Sequence, residues 1–275
     1  MEISLLEVPY DLGAEGHGAA RAAHGLAMAC AESLGIPSAR IARRTRFRDT
    51  GSASLAVNRE LVEAVRSALA AKRVPVVVAG SCDVSLGVVG AFQHDSCGIV
   101  WFDGHGDFNT PETTVTGFFG GMPLAALTGH CYTSLWSQIG DSRPVAEEAT
   151  LLVGAMDLDP LERAFLDVTR VLVCGCSDGH VLPAFSAMLD DLGRKVSQVY
   201  MHFDLDVLDP SVAPGIELPV VGGLSMDGAI DAIRAVAERF RIQAATIATT
   251  FDPDRDADGR TLRAGLTLVE QLAAT

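Results

Sequence analysis

Asp103, His105 and Asp107 stand at alternate positions in the stretch Trp101-Phe-Asp103-Gly-His105-Gly-Asp107. Two carboxylates and an imidazole that converge form a donor set for a divalent cation such as Mn²⁺. The preceding run, Cys97-Gly-Ile-Val-Trp-Phe, has the length and the β-branched and aromatic character of a buried strand. On an extended strand end, residues i, i+2 and i+4 project to one side, which predicts that the three side chains face one site. A polar strand end with a sharp glycine turn would account for one such stretch. A second exists: His202-Phe-Asp204-Leu-Asp206 ends the apolar run Ser197-Gln-Val-Tyr-Met. Two strand ends carrying paired acids point to a shared metal site.

The elements that must position these residues alternate along the chain. Strands are expected at residues 2–8, 74–78, 150–153, 171–174, 198–203 and 243–249, with an edge strand in the basic stretch 40–48. Helices are expected at 19–33, 58–72, 84–92, 122–127, 178–192, 226–240 and 261–272. A glycine-rich connection spans residues 13–18. His17 and His24 have no acid or cysteine at ligand spacing, and His180 lies near an expected helix start, so each reads as structural.

Three further segments sit where ligands bind. Ala79-Gly80-Ser81-Cys82-Asp83 joins a strand to a helix, the ligand position of a doubly wound sheet, yet lacks the lysine and glycine spacing of a phosphate loop. Residues 108–117 are polar and β-branched, either a loop for a polar ligand or a solvated loop with its own side-chain turns. Asp157, Asp159 and Glu162 precede or open a helix, where acids cap and complement the dipole.

Strands separated by helices, without a linker or repeat, predict one α/β domain over residues 1–275 built on a mostly parallel, doubly wound sheet. The formal charge of −14 argues against nucleic acid and anionic membranes as partners and favours a cationic small molecule. The acidic N-terminus, MEISLLEVPYD, is unlike a signal peptide, and no apolar run is long enough to span a bilayer. Six cysteines in mostly apolar contexts fit free thiols, so a cytoplasmic location is expected.

Asp103-Gly-His105-Gly-Asp107, His202-Phe-Asp204-Leu-Asp206 and Gly222-Gly223-Leu-Ser resemble the signature segments of the ureohydrolase family, which includes arginase, agmatinase and formiminoglutamase. The likeness runs from the loop at Pro9 to Phe251-Asp-Pro253. It implies a three-layer α/β/α fold, two Mn²⁺ ions per chain and hydrolysis of a guanidino group. By this resemblance Asp103 and Asp204 would bridge the ions, and His105 and Asp206 would complete one shell. Asp107 and Cys82 would serve the other ion, with Cys82 where the family carries histidine. A thiolate is soft and Mn²⁺ hard, which puts the strength and metal preference of that position in question. The family's proton-shuttling histidine is matched by Gly120, and its late acid by Thr250. Asn109, Thr114 and Thr116 match the loop that holds an α-carboxylate, and Asp159 and Glu162 the positions that hold an α-amino group. Agmatine has no carboxylate, so the loop favours an arginine-like amino acid.

The cysteine, the missing shuttle and the loop together resemble the branch of the family that cleaves Nω-hydroxy-L-arginine to hydroxyurea and L-ornithine in antibiotic biosynthesis. The implied reaction is attack of a metal-activated water, with Asp107 orienting it and taking its proton. L-arginine is the alternative substrate. Two other readings stand beside this one. Cys82, at a strand-to-helix turn whose dipole would favour a thiolate, would act as a metal-free nucleophile, or the chain would be a binding homologue without activity.

Overall fold

The computed structural model describes residues 2–12, 16, 18–41, 47–92, 97–141 and 143–275. Its centre is made of the longest apolar runs of the chain. In order, the elements are β1 (Ile3–Val8), α1 (Gly18–Leu34), β2 (Ser38–Arg40), α2 (Thr50–Ala70), β3 (Val74–Ala79), α3 (Ser85–Gly90), β4 (Cys97–Asp103), α4 (Pro123–Leu127), α5 (Thr133–Trp136) and β5 (Thr150–Gly154). There follow α6 (Pro160–Leu166), β6 (Leu172–Cys174), β7 (Cys176–Ser177), β8 (His180–Val181), α7 (Ala184–Gly193), β9 (Gln198–Asp204), α8 (Met226–Arg239), β10 (Arg241–Ala248) and α9 (Arg260–Ala274).

Eight strands form one sheet in the order β2-β1-β3-β10-β9-β4-β5-β6, and every pair in it is parallel. All seven residues of β4 and all five of β5 are buried. Such unbroken burial is what a parallel sheet covered on both faces requires. On one side α1 packs on α9, α9 on α8 and α8 on α7; α2, α3, α4 and α5 pack together in a second group. Leu61, Val62 and Val65 of α2 are buried, each contributing about 1.5–3 kcal/mol by leaving water.

The sheet order places the chemistry. Between β3 and β4, consecutive in the sheet by sequence, stand β10 and β9. Because the strands are parallel, the carboxyl ends of β3, β10, β9 and β4 share one edge, with the chain winding outward from β3 on one side and from β4 on the other. Ligands in open α/β sheets bind at such a reversal.

Several expectations need correction. Residues 178–192 are not one helix: β7 and β8 pair antiparallel through Asp178 and Gly179, both at positive φ, and α7 begins only at Ala184. An Asp-Gly pair is a strong two-residue hairpin signal, so His180 lies in a strand. The helix expected at 84–92 starts as a 3₁₀ turn over Cys82–Val84, and its α-helical part is Ser85–Gly90. Helix α2 begins at Thr50 rather than at residue 58, because Asp49 caps it by accepting from the Ser52 amide at 2.7 Å. The edge strand is Ser38–Arg40, ahead of most of the stretch in which it was expected. Residues 13–15, His17 and 42–46 lie outside the described residues. No helix among the described residues is long and apolar enough to cross a membrane.

Candidate metal centre

Both acid motifs fold by the same local device. At the end of β4 the Asp103 Oδ1 accepts from the backbone amide of His105 at 2.7 Å, and at the end of β9 the Asp204 Oδ1 accepts from that of Asp206 at 2.9 Å. Each aspartate thus closes a side-chain turn over the two residues after it. The convergence of Asp103 and His105 therefore comes from a turn, not from the extended strand end expected: β4 stops at Asp103. The two turns interlock. The Gly104 amide donates to Asp206 Oδ1 at 2.8 Å, and His105 Nδ1 lies 2.9 Å from Asp206 Oδ2. A Cβ at position 104 would sit 2.8 Å from the Asp206 carbonyl oxygen, so this close approach requires glycine.

Asp107 is placed by strain. Its φ is +48°, a left-handed value for a residue with a Cβ. What holds it there is the start of α4, whose Leu124 and Ala125 amides donate to the Asp107 carbonyl at 2.9 and 3.2 Å. The side chain is buried and its Oδ2 has no hydrogen-bond partner.

Cys82 enters from the turn after β3. Its Sγ donates to Asp204 Oδ2 at 3.0 Å. Burial, followed by the charges of Asp204, Asp107 and Asp103, holds the thiol far above its ordinary pKa. The turn that begins at Cys82 is three residues of 3₁₀ helix, too short to offset this. The thiolate nucleophile expected from a helix dipole is not supported.

The charges are those of a site built for cations. Burial and then the neighbouring carboxylates raise the pKa of Asp107 and of Asp204, and Asp206 is pushed up to about 6 by burial and then Asp103. Burial alone would lower His105, but its bonds to Asp103 and Asp206 raise it to about 12. Two groups of ligand atoms lie close enough to close on an ion, each within 4.8 Å of one another: Cys82, Asp103, His202 and Asp204 in one, and Asp103, His105 and Asp206 in the other. Asp103 belongs to both. Repelling buried carboxylates, a shared aspartate and the orphaned Asp107 oxygen fit divalent ions as the missing counter-charge.

All eleven residues singled out in the sequence line one cavity of about 210 Å³: Cys82, Asp103, His105, Asp107, Asn109, Thr114, Thr116, Asp159, Glu162, Asp204 and Asp206. In the 109–118 loop, Asn109 is locked by donating to Asp159 Oδ2 at 3.1 Å and accepting from Thr113 Oγ1 at 2.8 Å. The Thr114 and Thr116 hydroxyl oxygens accept from the Gly117 and Phe118 amides, which leaves both hydroxyl hydrogens free to donate. Asp159 and Glu162 form a capping box at the start of α6. Glu162 also accepts from the Phe108 amide at 2.9 Å, so its oxygens hold backbone as well as facing the cavity.

Sequence reasoning missed Asp11, Glu217 and His202. The first two line the cavity from loops with no motif around them. His202 lies beneath it in β9, fully buried, and was read only as part of the second acid stretch. The two absences noted in the sequence have structural counterparts. A Cβ at Gly120 would meet the Phe118 ring at 2.5 Å, and the Thr250 hydroxyl donates to Asp204 Oδ1.

The sequence pattern of the arginase family matches residues 1–274. The arginase of Bacillus subtilis (strain 168) is 31% identical over 222 residues, covering 79% of this chain and 75% of that protein. A crystal structure of arginase from Bacillus subtilis superposes with a TM-score of 0.84 at 26% identity, covering 100% of this chain and 99% of the other. The native arginase structure from Bacillus caldovelox gives 0.84 at 27% identity over 98% of this chain and 97% of its own.

Proposed function

This chain belongs to the arginase family, and on that premise we propose that it is a two-manganese amidinohydrolase that cleaves Nω-hydroxy-L-arginine to hydroxyurea and L-ornithine, with residues 1–275 acting as one catalytic domain. At the coarser level the family makes it a metal-dependent hydrolase of guanidino compounds. The observation that carries the reading is the single cavity in which two ligand groups share Asp103 and nine carboxylates meet no lysine or arginine among the described lining residues.

Asp103, Asp204, His105, Asp206, Asp107 and Cys82 would hold the two ions. Bound there, they would supply Lewis-acid activation of a water and stabilise charge at the guanidino carbon. The acid wall draws in a cationic substrate. Thr114 and Thr116 donate their hydroxyl hydrogens, and Asn109 its pre-set amide edge, to the α-carboxylate, while Asp159 and Glu162 face the α-amino group. Asp107, whose Oδ2 has no other partner, orients the attacking water and accepts its proton.

The hydroxylated substrate is favoured by what the site lacks. No side chain projects at Gly120, and Thr250 offers a hydroxyl engaged with Asp204 where an acid would act. N-hydroxylation lowers the basicity of a guanidine, so its cleavage needs less acid–base help than that of arginine.

The test is ornithine release by the purified protein, stripped of metal and reloaded with Mn²⁺, from Nω-hydroxy-L-arginine, L-arginine and agmatine. The expected order of kcat/KM is hydroxyarginine first and agmatine last. A preference for L-arginine would return the chain to ordinary arginase chemistry. No turnover of any substrate with any added divalent ion would favour a binding homologue.

A further inference from the structure

His202 is buried, yet one of its ring nitrogens is unexplained. It stands two residues before Asp204 on β9, so both side chains leave the same face of the strand, with the imidazole one step deeper. The ring lies flat on the indole of Trp101, with centroids 3.6 Å apart and planes 11° apart. Trp101 is its register neighbour on β4, and the indole Nε1 donates to Asp103 Oδ2 at 3.0 Å. On its other side, His202 Nδ1 lies 3.0 Å from the Tyr200 hydroxyl, which donates to Thr246 Oγ1 at 2.8 Å. With that hydroxyl hydrogen spent, Nδ1 is the protonated nitrogen and Nε2 carries the lone pair. Nε2 has no hydrogen-bond partner. The Cys82 thiol does not supply one, because it donates to Asp204.

A buried nitrogen left unpaired is costly. A ring nitrogen of His202 lies within 4.8 Å of Cys82 Sγ and of oxygens of Asp103 and Asp204, and with Nδ1 engaged by Tyr200 the open one is Nε2. Metal–ligand distances of about 2.0–2.3 Å place the donors of one ion within about 4.6 Å of each other. We propose that His202 Nε2 is a protein ligand of the ion held by Cys82, Asp103 and Asp204. The inference rests on the metal reading above and adds a donor to it. With Asp107 counted, that ion has one thiolate, one imidazole and three carboxylates to draw on, a mixed set open to Zn²⁺ or Co²⁺ as well as to Mn²⁺. Tyr200 becomes the group that fixes the imidazole tautomer, as the outer partners of metal-bound histidines do. The soft donor at position 82 is thereby accompanied by an imidazole from beneath the site.

The full-length protein is made with ¹⁵N-labelled histidine, stripped, and loaded with ¹¹³Cd²⁺. Two imidazole nitrogens, from His105 and His202, should show direct coupling to cadmium in the wild type, and His202→Gln should lose one. In a Co²⁺ titration, His202→Gln should weaken the weaker ion at least about tenfold, while Tyr200→Phe should weaken it but keep the coupling. Circular dichroism and the retained His105 coupling show that His202→Gln is folded; if it is not, the wild-type count and Tyr200→Phe decide. Wild-type protein with two cadmium ions and one coupled imidazole would overturn the inference and leave the metal reading standing. Wild-type protein that binds no divalent ion would overturn both.

Discussion

His105 Nδ1 and Asp206 Oδ2 lie 2.9 Å apart and tie the acid cluster of β4 to that of β9. Without a divalent ion this contact is an ion pair: burial opposes the charge on the imidazole, but Asp103 and Asp206 outweigh it and raise its pKa. A histidine must be neutral to bind a metal, so ion uptake at neutral pH should expel that proton, and the Cys82 proton with it. Calorimetric titration with Mn²⁺ or Zn²⁺ in buffers of differing ionisation enthalpy should report net proton release, to which the raised carboxyls of Asp107 and Asp204 also contribute. Heats that do not depend on the buffer would refute this arrangement.

Asp204→Asn keeps the shape of the side chain and removes its charge. Asp204 belongs to the ligand group with Cys82 and Asp103, and the family resemblance has it bridge both ions, so kcat/KM should fall more than about a hundredfold, beyond the loss from an outer partner. Metal analysis should show fewer than two ions per chain. Full activity in this variant, or in wild-type protein freed of metal by a chelator, would sink the metal-hydrolase reading.

Agmatine lacks the carboxylate that the 109–116 loop is expected to hold. Its kcat/KM should be lower than that of the arginine-type substrates by about a hundredfold or more, since unpaired polar groups in a formed site discriminate strongly. Thr114→Val should narrow the gap by weakening the amino acids alone. Equal specificity constants in the wild type would contradict the role assigned to the loop.

Glu162 is 3% exposed and binds two backbone amides, those of Phe108 and Asp159. Glu162→Ala should destabilise the protein by roughly 2–4 kcal/mol through the two orphaned donors, measured by urea denaturation. Glu162→Gln keeps an acceptor and should cost less. If neither variant changes stability, the capping role is wrong and the side chain serves the substrate alone.

Asp11 gives a pH signature. Burial, then Glu217 and Asp83, raise its carboxyl from 3.8 to about 6. The fold therefore favours the protonated form: its stabilising contribution is fully present below pH 3.8 and is lost as pH rises through about 6. In metal-free protein, Asp11→Asn should raise the Tm at pH 8 and leave it nearly unchanged at pH 4. Equal Tm values at pH 8 would show that the buried charge is not felt.

Much of the site was legible because its chemistry is local. Asp103 with His105, and Asp204 with Asp206, are close along the chain and sit at the ends of apolar runs, so strand patterning and donor type suffice to mark them. The capping role of Asp159 and Glu162 followed from an acid before a proline-led helix. The hairpin at Asp178-Gly179 was also written in the chain, but the apolar spacing that follows it masked the turn.

Tertiary structure decided how these pieces meet. Nothing in the spacing of Asp103 and Asp204 says that β4 and β9 are neighbours, or that β10 and β9 insert between β3 and β4; that depends on which strands pair, a property of the whole sheet. The interlock of the two turns through Gly104 and Asp206 arises only once the strand ends are side by side, and the left-handed pin at Asp107 only once α4 folds back on it. The same holds for Asp11 and Glu217, loop acids that become cavity wall. His202 shows the limit most sharply. In the sequence it is a polar residue within an apolar strand, and only the Trp101 ring against its face and the Tyr200 hydroxyl on Nδ1 turn its remaining nitrogen toward the acids. Residue type and spacing determine what a side chain is able to bind, whereas the direction of this lone pair is set by packing on Trp101 and by the Thr246 hydroxyl that takes the hydrogen of Tyr200, both distant in the chain.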